Sequence, residues 1–145
     1  MWRENLINAK YHLSVARRLF ESYEEYGGKR FLVGVINENA RAAASVVRAF
    51  LIVENVVGKD SRKNLGIFID KVAPKYLSDE IVENLVKSLE VERAQKKSPI
   101  EYARADRIVL LIDGKYRFLT ANRLREFMTS VEESIFELQK KFRQV

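Results

Sequence analysis

From Arg30 to about Val57 the chain carries a helical pattern with almost no face left for water. Arg30, Asn37, Arg41, Ser45, Arg48 and Asn55 fall on one narrow polar stripe at helical spacing, and nearly every other position is apolar or alanine. Such a helix is stable only when neighbours cover most of its circumference, so the remainder of the chain has to supply those neighbours. Ala40, Ala42, Ala43, Ala44 and Ser45 leave room for one of them to come close, because small side chains shorten the distance between helix axes. Asn39 lies on the apolar side and therefore needs a hydrogen-bonding partner.

The neighbours are readable on both sides of this segment. Leu6, Ala9, Leu13, Ala16, Phe20 and Tyr23 recur at helical spacing between Arg3 and Tyr26, and Gly27-Gly28 follows where a left-handed C-terminal cap is wanted. Gly58-Lys59-Asp60-Ser61 reads as a loop. A shorter helix then places Leu65, Phe68, Ile69 and Val72 on one face, and Pro74 is expected to end it. Ser78 caps the next helix, with Asp79 and Glu80 in the first turn, where the helix dipole favours negative charge. Ile81, Leu85 and Leu89 continue its buried face to about Lys97.

After Ser98-Pro99 the period changes from helix to strand. Arg107 to Ile112 is a run of leucine and β-branched residues, Asp113-Gly114 is a favoured two-residue hairpin turn, and Lys115 to Leu119 is the returning strand. Thr120 can cap the last helix, whose Leu124, Phe127, Met128, Val131, Ile135, Leu138 and Phe142 form a long apolar stripe. The expected fold is mainly α: an antiparallel four- or five-helix bundle over residues 1–145, with a β-hairpin at about 107–119 inserted before the C-terminal helix. A lone hairpin is marginal in water. Ile108, Val109, Leu110, Leu111 and Ile112 make this one apolar on both faces, so it has to lie on the bundle or cover a second subunit, and a homodimer is expected.

A chain of 145 residues can bury a core without disulfide or metal staples. With no cysteine, disulfides, thiolate metal sites and cysteine nucleophiles are excluded, and a reducing compartment is the simple reading. No stretch approaches the roughly 18 apolar residues of a spanning helix, and Met1 to Arg18 mixes charges throughout. A cytoplasmic protein without membrane contact is the expectation.

Lys and Arg outnumber Asp and Glu by 26 to 20. Most of that excess lies in one segment, where Arg93, Lys96, Lys97, Arg104, Arg107, Lys115 and Arg117 stand against Glu101, Asp106 and Asp113. Tyr102, Tyr116 and Phe118 interleave with those cations. Phosphate neutralisation combined with base stacking uses this combination on single-stranded nucleic acid, with Tyr102 and Tyr116 as the stacking candidates. A solvated hairpin with inward-packed aromatics would have the same sequence. A second basic line, Arg3, Lys10 and Arg17, repeats along one face of the first helix, and reads either as an extension of an anion track or as the wet side of an amphipathic helix.

Other candidates carry less chemistry. His12 borders the apolar stripe of its helix with no nucleophile or orienting partner in the local sequence, so it reads as a boundary residue rather than a general base. Glu21, Glu24 and Glu25, and later Glu90 and Glu92, lack the spacing of a calcium loop or a di-iron bundle and read as solvated faces and ion pairs. Gly27-Gly28-Lys29 does not follow a strand and lacks the remainder of a phosphate-binding loop. No catalytic residue, metal ligand set or cofactor is implied.

The order long helix, long alanine-bearing helix, short helix and long final pair resembles a HEPN domain. The likeness is carried by Asn5–Phe20 (NLINAKYHLSVARRLF) and Asn39–Leu51 (NARAAASVVRAFL). The resemblance implies a dimer that is either a ribonuclease, often paired with a nucleotidyltransferase, or a catalytically silent module binding nucleotides, RNA or a protein partner. Active members carry an arginine and a histidine separated by four to six residues. Here Arg93 is followed by Ser98, Pro99 and Ile100 at the corresponding positions, and His12 lies far upstream. Arginine stays protonated and cannot replace the missing acid/base group. The resemblance therefore implies a non-catalytic module that binds RNA or a nucleotide through the basic hairpin region. The alternatives are an antitoxin-type interaction protein paired with a nucleotidyltransferase or other partner, and a divergent ribonuclease.

Overall fold

The computed structural model describes residues 1–97, 102–104, 107–112 and 114–142, with the backbone alone at 61, 102–104, 107, 108, 111, 112 and 142. Five helices, α1 (Trp2–Tyr26), α2 (Lys29–Val53), α3 (Ser61–Ile67), α4 (Asp79–Lys97) and α5 (Ala121–Phe142), form a bundle, with strands β1 (Tyr102–Arg104), β2 (Arg107–Ile112) and β3 (Lys115–Thr120) between α4 and α5.

α2 takes the central place its pattern demands. Leu32, Val35, Ile36, Val46, Phe50 and Leu51 are buried along its length, and α1, α4 and α5 all touch it. Arg30, Arg41, Arg48 and Asn55 of the polar stripe are exposed, with Asn37 and Ser45 half-buried. α1 folds back on α2 through Gly27 and Gly28, which hold positive φ values of 72° and 104° that side chains with a Cβ rarely adopt. The two helices approach closely at Gly34, where an added Cβ would lie 2.7 Å from Leu19 Cδ1. Ala40, Ala42 and Ala43 are buried as expected, whereas Ala44 faces outward.

Asn39 finds its partner on α4. Its Nδ2 donates to Ser88 Oγ at 3.0 Å, and Ser88 Oγ donates in turn to the Asn84 carbonyl at 2.8 Å. Asn84 Nδ2 donates to Ser130 Oγ on α5 at 2.8 Å, and Ser134 Oγ donates to the Ser130 carbonyl at 2.7 Å. This buried polar ladder links α2, α4 and α5. A shift of one turn would leave the Asn39 and Asn84 Nδ2 groups desolvated without partners, so the ladder specifies helix register as well as contributing hydrogen bonds, even with Asn39 Oδ1 buried and unpartnered among the described residues.

Several helix ends follow the expected chemistry. Ser78 Oγ accepts from the Ile81 N–H at 3.3 Å, and Thr120 Oγ1 accepts from the Arg123 N–H at 3.1 Å. α2 stops at Val53, short of the expected Val57, because Asn55 adopts φ 56°. The Asn55 N–H then bonds to the Ile52 carbonyl and the Val56 N–H to the Leu51 carbonyl, the paired bonds of a Schellman cap with Asn in the place usually taken by Gly. After α3 the helical path widens into a π turn (Phe68–Val72) and tightens into a 3₁₀ turn (Ala73–Lys75) that contains Pro74. Proline therefore reshapes the end of this segment rather than cutting it before residue 74.

β2 and β3 form the expected antiparallel hairpin, with Ile112 opposite Lys115 and Gly114 at φ 75°. Asp113 lies outside the described residues. Leu110 and Leu119 are buried, and the sheet touches α4 and α5. β1 adds an antiparallel edge, pairing Tyr102 with Val109 and Arg104 with Arg107. A strand of three residues is too short to show a period in sequence.

At the corner where α2 ends, Tyr76 Oη donates to Glu54 Oε1, and Lys75 Nζ lies 3.4 Å from Glu54 Oε2. The Tyr76 hydroxyl, aided by Lys75 and Lys141, holds the Glu54 carboxyl below its ordinary 4.5 against the opposing effect of partial burial. Burial first, and then the bond to Glu54 and its charge, pushes Tyr76 up to about 12. Folding thus favours ionised Glu54 and neutral Tyr76. The Glu54 contribution is present above 4.5 and lost as pH falls through its lowered folded value, while the Tyr76 contribution is present below 10 and lost as pH rises towards about 12. Tyr76→Phe is expected to cost about 1 kcal/mol near neutral pH. In urea unfolding, the difference between variant and parent should shrink as pH rises through that alkaline window. A constant difference across it would place the stabilisation elsewhere.

Candidate functional site

Two adjoining regions gather the basic residues. The first is the sheet. β3 exposes four successive residues, Lys115, Tyr116, Arg117 and Phe118, before Leu119 turns into the core. Tyr116 is 62% exposed and Phe118 67%, in the range of Tyr11, Tyr26 and Phe136 elsewhere on the surface. The alternative in which these aromatics pack inward therefore fails for Tyr116 and Phe118. The register sets Tyr102, Val109 and Phe118 in one row across the sheet, and Arg104, Arg107 and Thr120 in another two residues along. The side chains of Tyr102, Arg104 and Arg107 lie outside the described residues, as do Glu101 and Asp106 entirely.

The second region is the C-terminal half of α4 and the helices beside it. Arg93, Lys96 and Lys97 are all exposed there. Lys96 Nζ is 2.6 Å from Glu92 Oε1 one turn back, so its charge is already answered within α4. Arg93 lines a cleft of about 420 Å³ between α2, α3 and α4, together with Arg48 of α2 and Arg62 of α3. Ala44, Val47, Leu51, Leu65 and Leu89 supply its apolar lining, so the outward-facing Ala44 serves as part of a floor. Among the described residues no carboxylate pairs with Arg48, Arg62 or Arg93.

Local chemistry fixes the α3 side of that cleft. Asp60 Oδ1 accepts from the Arg62 N–H at 2.9 Å and caps α3. Buried Asn64 accepts from the Gly58 N–H at 2.8 Å and donates to the Gly58 carbonyl at 2.9 Å, so both halves of its amide are used in clamping the preceding loop. Arg48 and Arg62 were outside the basic segment legible in sequence. They lie on two different helices, α2 and α3, and only the fold brings them to one cleft with Arg93.

Several of the other candidates resolve into pairs. Arg17 donates to Glu132 of α5, so the line Arg3, Lys10, Arg17 is not a free cationic track, and the Arg3 guanidinium lies 5.3 Å from the Trp2 ring centre. Glu24 accepts from Arg125 at 2.5 Å. His12 gains from α2 the orienting partner missing from its local sequence. Its Nδ1 lies 2.6 Å from Glu38 Oε2, and Glu38 Oε1 accepts from Arg41 at 2.9 Å. Among the described residues no group of three or more His, Asp or Glu side chains converges, and no helix is long and apolar enough to cross a membrane.

No protein family, curated protein or solved structure matches the chain.

The Asn64 clamp is expected to hold the cleft wall. Asn64→Ala should cost about 1–3 kcal/mol through the two lost bonds to Gly58, and should speed hydrogen exchange at the Gly58 amide in nuclear magnetic resonance spectra. Unchanged exchange there would show that other contacts hold the loop.

Proposed function

We propose that this chain is a non-catalytic, HEPN-like helical module that binds single-stranded RNA through its sheet and the end of α4. The observation that carries the reading is the exposed run of β3, where two rings alternate with two cations. A ring offers a face to a base, and the register positions of Arg104 and Arg107, two residues along from the Tyr102–Val109–Phe118 row, fall on the same face of the sheet as the rings, where cations can meet the phosphates; Lys115 and Arg117 take the other face. Tyr102, Arg104 and Arg107, through their positions in the register, and Arg93 and Lys97, through α4, extend the same basic surface. The order of long and short helices around alanine-bearing α2 supports the HEPN-like part of the reading.

The test is a titration of labelled single-stranded RNA at several salt concentrations, with heparin as a polyanion control. Stacking of this kind contributes about 1–3 kcal/mol per base, so Phe118→Ala or Tyr116→Ala should weaken RNA binding by about tenfold and leave heparin binding nearly unchanged. Arg107→Ala should flatten the salt dependence by about 0.7 in the log–log slope. RNA should be recovered intact. Equal binding to RNA and heparin, or ring substitutions without effect, would overturn the assignment.

A second reading concerns self-association and has its own observation. α1 and α5 border a groove of about 610 Å³ lined by Lys10, Leu13, Arg17, Glu133, Ile135 and Phe136. Exposed Ile7 and Tyr11 continue the α1 side, and Phe136 stands exposed on the α5 side. Among the described residues Lys10 and Glu133 have no ion-pair partner within the chain, and they carry opposite charges on opposite walls. We infer that a second copy covers this groove about a two-fold axis, Lys10 of one protomer meeting Glu133 of its partner. Sedimentation should show a dimer that Phe136→Asp dissociates. A monomeric parent protein at about 100 μM would reject the interface.

A further inference from the structure

We propose that the cleft between α2, α3 and α4 is a binding site for a phosphate monoester carried on an apolar or aromatic body. This goes beyond the sheet surface, with which the cleft shares only Arg93.

The argument begins with charge. Arg48, Arg62 and Arg93 come from three different helices and line one concavity, and none has an ion-pair partner among the described residues. Glu92 is the acidic residue in the lining, but its Oε1 is held by Lys96 at 2.6 Å, so it is already answered and does not neutralise the guanidinium groups. Bringing three like charges to one cleft is unfavourable unless solvent or a counter-anion answers them. A guanidinium offers a planar fork of donors that fits phosphate oxygens two at a time. The terminal oxygens of a phosphate monoester can engage more than one fork at once, and its second negative charge distinguishes it from a carboxylate.

The floor supplies the rest of the specificity. Ala44, Val47, Leu51, Leu65 and Leu89 present hydrocarbon, which inorganic phosphate cannot cover but a base or other flat apolar group can. A volume of about 420 Å³ lies within the size range of small-ligand sites, roughly 300–1,000 Å³. Asn64 gives its oxygen and one Nδ2 hydrogen to Gly58, so it has little left to offer a ligand. The charged recognition of the site falls to the three arginines.

Two sources carry this chemistry, a free nucleoside monophosphate and the 5′-phosphorylated end of an RNA strand. Calorimetric titrations with adenosine 5′-monophosphate, adenosine and inorganic phosphate, beside a short RNA with a 5′-phosphate or a 5′-hydroxyl, distinguish them. At least one phosphorylated probe should bind about tenfold or more tightly than its unphosphorylated counterpart, and Arg48→Ala with Arg62→Ala should remove that preference. The pair Tyr116→Ala with Phe118→Ala should leave the preference intact, so failure of the sheet reading and failure of this one give different results. Preference in the mononucleotide alone assigns a free ligand, and preference in the RNA alone assigns a strand end. Arg48→Lys, which keeps the charge and loses the fork, should retain part of the binding. The proposal is overturned if no phosphorylated probe outbinds its counterpart at about 1 mM, if the preference survives loss of Arg48 and Arg62, or if inorganic phosphate binds as tightly as the organic monoesters.

Discussion

The enclosure of α2 is the constraint from which the rest of this structure follows. A helix with apolar or small residues on most of its circumference cannot stand at a surface, so α1 must double back along one side while α4 and α5 close others. Hydrophobic burial alone would tolerate many rotations and slides of these helices, because it has no direction. Directional specificity comes from the Asn39–Ser88–Asn84–Ser130 ladder, which sets α2, α4 and α5 against one another inside the core. Close approach at Gly34 does the same for α1 by steric means.

The surface inherits its layout from that core. The narrow stripe that α2 leaves outside the core carries Arg41 and Arg48, and the two meet different surroundings. Arg41 stands beside α1 and joins Glu38 and His12 in a closed set of partners. Arg48, two turns later, stands where α3 and α4 diverge enough to leave a cleft, and among the described residues no carboxylate reaches it. Residues of one type on one helix face thus acquire different roles from their neighbours on other helices. The same distinction separates Arg17, bound to Glu132, from Arg62 and Arg93.

Where a residue type allows a single local role, the sequence was sufficient. Gly27-Gly28, Ser78 and Thr120 each act within a few residues of themselves, and the helix boundaries at those points were legible. Asn55 was misread as part of the α2 stripe because its residue type permits both a helical position and a left-handed cap, and the choice was made by the bonds that Asn55 and Val56 donate back to Ile52 and Leu51. The π turn at Phe68–Val72 has no period of its own in so short a segment, and β1 is likewise too brief to announce itself. The candidate site divides in the same way. Its contiguous basic segment and the β3 aromatics were readable because they are neighbours in sequence, whereas the Arg48–Arg62–Arg93 cleft and the His12–Glu38 contact join residues far apart in the chain.

Exposure of Tyr116 and Phe118 is not required by the attachment of the sheet to the bundle. The sheet already buries Leu110 and Leu119, so its attachment to the bundle is accounted for by the inward positions. Burial of two further rings would add hydrophobic stabilisation of the order of 1.5–3 kcal/mol for a ring of phenylalanine size, and the fold leaves that gain unused. Tyr116 and Phe118 share one face of β3, while Lys115, Arg117 and the buried Leu119 share the other, so the rings stand at the surface on the side turned away from the core, and the proposed stacking surface rests on that placement.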